Sequence, residues 1–178
     1  MTHSAGEIGD TAALHNPGGK SPVLLVCEHA SNYIPEQYQK LGLQKEALSS
    51  HIAWDPGALA VAKYLSQAID ARLVYSKVSR LLFDCNRPPE AIDAIPVRSE
   101  RYDIPGNRSL DAKAVSERIS LFYQPFYRLL EQSIEDDPGI RAMVTVHSFT
   151  PVYHGEPRAV QLGILHDVDT RLADHMLE

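Results

Sequence analysis

Two short apolar stretches, residues 22–27 and 141–147, each end in a polar group that carries a histidine: Cys27-Glu28-His29 in the first and Val146-His147-Ser148 in the second. A continuous apolar run of this length, rich in β-branched residues, suits a strand covered on both faces. Between and around these runs the spacing changes to that of helices. Ala58, Val61, Ala62, Leu65 and Ile69 recur at one face of a helix that Asp55-Pro56 would open, as N-cap and first-turn proline. Val115, Ile119, Phe122, Phe126 and Leu130 mark a second helix after Ser109, with Pro125 expected to kink or split it. Residues 72–78 and 159–165 read as further strands, residues 88–108 as a long irregular segment, and a last helix begins at Asp169. Strands alternating with helices predict a three-layer α/β sandwich around a mixed, mostly parallel sheet. Residues 1–20, ending in Asn-Pro-Gly-Gly, read as a flexible N-terminal arm, and residues 21–178 as one α/β domain.

Composition removes several partner classes. There are 17 Lys and Arg against 23 Asp and Glu, a net charge of −6, and no basic cluster, so a nucleic-acid footprint is missing. No apolar run approaches the roughly 18–20 residues of a membrane span, and the N-terminus lacks the pattern of a secretory signal. Only Cys27 and Cys85 are present, with no CxxC pair, which points to a reducing cytoplasm rather than a disulfide framework. Thiol chemistry is the weaker alternative, since a cysteine in an apolar strand is by default a small buried hydrophobe.

In open α/β sheets ligands gather beyond the carboxyl ends of strands, which is where His29 and His147 fall. Neutral imidazole is a good zinc ligand, and a catalytic zinc takes three protein ligands and keeps one open position. Asp55 is the preferred third ligand, with Glu28 and His51 behind it. Glu28 adjoins His29, and neighbours on an extended strand point to opposite faces. The plainer readings are a helix cap for Asp55 and hydrogen-bonded structural roles for the histidines. A second group, Ser79-Arg80 to Asp84-Cys85-Asn86-Arg87, offers guanidinium groups for a carboxylate; the plain alternative there is an internal Arg–Asp ion pair.

Four blocks together, Cys27-Glu28-His29-Ala30-Ser31 with Ile34-Pro35, His51 to Ala58 around Trp54-Asp55-Pro56-Gly57, Ser79-Arg80 to Arg87-Pro88, and Thr145-Val146-His147-Ser148-Phe149, resemble the N-formylglutamate amidohydrolase family. The resemblance runs from about Pro22 to the end of the chain. It implies a phosphorylase/hydrolase-like α/β fold related to the zinc carboxypeptidases, and zinc or another divalent metal as cofactor. It implies metal-dependent hydrolysis of the amide of a small anionic N-acyl amino acid, such as N-formyl-L-glutamate to formate and L-glutamate. The resemblance matches His29 and His147 to metal-binding histidines and Asn86-Arg87 to a pair that holds a substrate carboxylate; beside them the residues themselves offer Asp55 as third metal ligand, Glu28 to move the proton, Arg80 to orient the substrate, and Ser148 and Asn32 to donate hydrogen bonds to it. Glu156, or a block beyond Glu178, is the alternative proton carrier, because members of the family usually continue past this point. The chain departs from the best-known members in having Glu-His-Ala-Ser rather than Pro-His-Ser-Gly, and Trp54-Asp55 rather than Trp-His. A non-catalytic carboxylate-binding domain on the same fold is the competing expectation.

Overall fold

A computed structural model describes residues 10–153 and 155–178 of the chain. It divides into two units, Met1–Ser148 and Phe149–Glu178. In the first, β1 (Ala12–His15), β2 (Val23–Cys27), β3 (Arg72–Ser76) and a later strand, β6 (Ala142–Thr145), form a sheet in the order β1-β3-β2-β6. β2 runs parallel to both β3 and β6, and β1 pairs antiparallel with β3.

The alternation along β2 sorts its side chains onto two covered faces. Leu25 and Cys27, with Leu73 of β3, pack against Ala58 and Ala62 of helix α2 (Ala58–Ala68), which follows the short helix α1 (Lys45–Ser49). Leu24 and Val26, with Val74, pack on the other side against Phe126 and Leu130 of helix α4 (Gln124–Glu135). The result is a mixed α/β sandwich, helix on sheet on helix. A third core is made by the connections themselves: Leu41, Ile52, Ala53, Leu81, Leu82, Phe83 and Phe122 bury one another. Full burial of side chains such as Leu82 and Phe83 is worth roughly 1.5–3 kcal/mol each, so the segments leading to Asp55 and Asp84 are packed structure.

Pro125 divides the long helix as its chemistry requires. Helix α3 (Ala112–Arg118) passes into a π-helical turn at Ile119–Tyr123 before α4 begins. Proline has no N–H to offer the carbonyl four residues back, that of Leu121. The Thr11 hydroxyl donates to it instead, at 2.7 Å.

That contact also bears on the expectation of a flexible arm over residues 1–20, within which residues 11–16 are packed structure. Thr11 is buried, its carbonyl accepts from the Lys77 N–H at 2.8 Å, and the next four residues form the edge strand β1. Asn16 then donates to Asp70 at 3.0 Å. Residues 1–9 lie outside the described residues. The helix after Ser109 is capped by Asp111, whose carboxylate accepts from the Ala114 N–H at 2.7 Å; Ser109 itself has a positive φ of 56°. Residues 88–108 are mostly turns, with a two-residue hairpin of β4 (Arg98–Ser99) and β5 (Tyr102–Asp103).

The second unit holds a small antiparallel pair, β7 (Val152–Tyr153) and β8 (Glu156–Pro157), and helix α5 (Arg171–Leu177). Residues 159–165 are not a strand: they pair with no other strand among the described residues, and Leu162 and Leu165 are 81% and 92% exposed. Apolar composition favours a strand only where a neighbour completes the ladder. No helix among the described residues is long and apolar enough to cross a membrane.

Candidate metal centre

β2 and β6 are adjacent and parallel, so their carboxyl ends open side by side, and the Val146 N–H still donates to the Val26 carbonyl at 2.8 Å. This places His29 and His147 with ring centroids 4.9 Å apart. Asp55 reaches the same point from the turn before α2. Its N–H donates to the His29 carbonyl at 2.9 Å, and Ser79 Oγ donates to the carbonyl of Ala53 just upstream at 2.8 Å. The helix-cap reading of Asp55 does not hold. Gly57, at φ 86°, stands at the cap position, and the Asp55 side chain turns to the histidines.

Asp55 Oδ2 lies 2.9 Å from His147 Nδ1 and 3.4 Å from His29 Nδ1, and it also accepts the Ser148 N–H at 3.3 Å. One donor atom from each of His29, Asp55 and His147 lies within 4.8 Å of the others. Ligands about 3.4 Å apart are what bonds of roughly 2.1 Å to a tetrahedral zinc require, so the donor set suits such an ion in chemistry and in the spacing of Asp55 from each histidine.

Around this trio lies a belt of charge. His29 Nε2 meets Asp84 Oδ1 at 2.7 Å. Arg80 sits between the two aspartates, 2.7 Å from Asp84 and 3.6 Å from Asp55, and the Asn86 N–H donates to Asp84 at 2.9 Å. Burial works against the charge on both aspartates. The hydrogen bonds of His147 and His29 outweigh it at Asp55, holding that carboxyl far below the usual range. The bond from His29 and the charges of His29 and Arg80 bring Asp84 down to about 2. Burial likewise opposes protonation of His29, and its bonds to Asp55 and Asp84 override it, so the imidazole is raised. Glu28 differs. Burial pushes its carboxyl above the usual range, and its Oε2 is buried with no hydrogen bond, 3.5 Å from His147 Nε2. Two ionised aspartates converge on His29 and Arg80, and a divalent cation held by neutral imidazoles would supply the positive charge that a protonated His29 otherwise gives them.

Several expected residues lie elsewhere. His51 pairs with Glu100 at 2.7 Å on the surface and does not join the histidine pair. Asn32 donates to the Leu48 carbonyl at 2.9 Å. Arg80 forms the internal ion pair with Asp84, and Arg87 pairs with Asp93 at 2.9 Å on an exposed loop. Asn86 touches the cluster through its backbone N–H. Glu156 is exposed in the β7–β8 hairpin of the second unit. Cys27 is buried and its thiol pushed up to about 12, chiefly by desolvation, and Cys85 is pushed up further, so neither supplies a thiolate. The residue whose role the sequence hid is Asp84, buried against His29; its one signal was a carboxylate shortly after the third strand.

Fold and site together define a mixed α/β protein whose parallel strands deliver a His-Asp-His cluster to one end of the sheet. The chain belongs to the N-formylglutamate amidohydrolase family, which it matches over residues 21–178. Among solved structures it is similar to the gene product Atu2144 from Agrobacterium tumefaciens, at 54% sequence identity and a TM-score of 0.91, over 95% of this chain and 68% of that one. None of the curated proteins matches the chain.

Proposed function

We propose that the protein is a metal-dependent amidohydrolase acting on a small anionic N-acyl amino acid, with N-formyl-L-glutamate as the first substrate to test. The observation that carries this reading is the convergence of His29, Asp55 and His147 at the strand ends of a chain from an amidohydrolase family. A divalent ion bound there, zinc being the best match to two imidazoles and a carboxylate, supplies Lewis acidity toward an amide carbonyl and makes water a competent nucleophile near neutral pH.

The chain's own groups do the rest. Glu28, with an unpartnered oxygen and a carboxyl raised by burial, is suited to take a proton from water and return it to the leaving nitrogen. The Ser148 N–H and the partly exposed Arg80 both lie against Asp55, beside the cluster. Arg87, on the loop following Asp84, can release Asp93 to meet a substrate carboxylate, because an exposed ion pair of this kind holds by less than about 1 kcal/mol. Water and substrate enter on the His147 side, where the imidazole is 32% exposed.

The test is formate release from N-formyl-L-glutamate before and after chelation, with zinc added back. Activity lost on chelation and restored by zinc supports the reading. Undiminished turnover in a protein shown to be metal-free overturns it.

A further inference from the structure

The loop from Arg87 to Ala94 is folded back on itself, with both ends hung from the backbone of Asp84. The Arg87 N–H donates to the Asp84 carbonyl at 3.0 Å, and the Asp84 N–H donates to the carbonyl of the buried Ala94 at 2.8 Å. Within the loop Pro88 and Pro89 each fix a φ angle. The Ala91 N–H donates to the Pro88 carbonyl at 3.0 Å, and the Ala94 N–H to the Ala91 carbonyl at 3.1 Å. The backbone therefore returns Asp93 to the side of Arg87, where its Oδ2 accepts from Arg87 Nε at 2.9 Å. Arg87 Nη1 donates to the Asn86 carbonyl at 2.9 Å. The bond to Asp93 raises the Arg87 guanidinium above its usual value, burial opposes the rise, and the charge of Asp84 adds to it, so Arg87 lies within the field of the metal centre.

The group that Asp93 brings to Arg87 is the one an anionic N-acyl amino acid would bring. A guanidinium grips a carboxylate best through two parallel N–H···O bonds, and Nε supplies one prong of one of its two forks. With Nε taken, that fork is closed to an incoming carboxylate until Asp93 lets go. We infer that Asp93 is an internal competitor for Arg87, holding the guanidinium before substrate arrives and so setting how tightly the substrate carboxylate binds. The exchange is an easy one, because the Arg87 and Asp93 side chains are 41% and 58% exposed. An exposed pair of this kind weakens substrate binding by about two- to fivefold. The inference rests on the reading of Arg87 as the group that meets the substrate carboxylate. It goes beyond that reading in naming the residue that tunes Arg87 and the direction in which it does so.

The experiment is steady-state formate release from N-formyl-L-glutamate by the full zinc-loaded chain, for wild type, Asp93→Asn, Arg87→Ala and the double variant, with folding checked by circular dichroism. The inference expects Asp93→Asn to lower KM about two- to fivefold with kcat unchanged. In the Arg87→Ala background the same substitution is expected to leave KM where Arg87→Ala alone puts it, because no guanidinium remains to compete for. A KM that rises in Asp93→Asn makes Asp93 a brace for Arg87 and overturns the inference, and an unchanged KM overturns it too. An equal fall in both backgrounds overturns it as well, since it reports only the loss of a negative charge. In those three outcomes the wild type still turns over and Arg87→Ala still raises KM, so the reading of Arg87 survives. A wild type that releases no formate, or an Arg87→Ala variant with unaltered KM, defeats that reading and the inference with it.

Discussion

The two histidines of the centre stand in different kinds of surroundings. His29 is buried at the end of an interior strand, gripped by Asp55 on one nitrogen and Asp84 on the other, with Arg80 behind both. His147 ends β6, at the margin of the sheet; it has one firm partner in Asp55, and a buried oxygen of Glu28 beyond it has none. The first half is rigid and electrostatically closed, and the second is open and incompletely satisfied. A site that must both hold a cation and admit a substrate needs this division of labour.

The largest expected effect comes from breaking the closed half. His29→Ala should abolish metal binding and also cost about 3 kcal/mol of stability, because it leaves two buried carboxylates with one guanidinium between them. His147→Ala should abolish metal binding equally while costing less than about 1 kcal/mol, since its site is open to water. Melting temperatures and bound metal for the two variants check the contrast; equal destabilisation would erase it. A smaller effect is expected at the hinge between the halves. Arg80→Met removes the cation shared by Asp55 and Asp84 and should lower stability by about 1–2 kcal/mol, read from the urea midpoint, while the histidines still bind metal. Smallest is Arg87→Ala. Its exposed pair with Asp93 should leave stability within about 0.5 kcal/mol and metal content unchanged, and the proposed role in substrate binding should appear as a raised KM with kcat nearly intact.

What the sequence disclosed of this centre, and what it concealed, follows from the range of the interactions. The ends of β2 and β6 could be read from local runs such as residues 22–27, and so could the break at Pro125, because strand burial and a missing N–H act within a few residues. Parallel pairing of those strands then brought His29 to His147 across 118 positions with no further information required. Asp84 was hidden because its meaning lies in a contact with His29, which no spacing encodes; beside Arg80, four residues away, it reads as an ordinary ion pair. β1 was hidden for a related reason. Thr11-Ala-Ala-Leu-His15 has no strong alternation, and its place is set by β3 and by a carbonyl that Pro125 leaves free. Residues 159–165 mislead in the opposite direction, with strand-like composition and no strand beside them among the described residues.

The account turns on whether His29, Asp55 and His147 hold one cation together, and the most direct measurement is the metal content of the purified full chain by mass spectrometry after titration with zinc. The account predicts one equivalent of tightly held zinc in the wild type, and none in His29→Ala, Asp55→Ala or His147→Ala. Zinc retained at one equivalent in any of these variants, or no stoichiometric uptake of any divalent ion by the wild type, would contradict it.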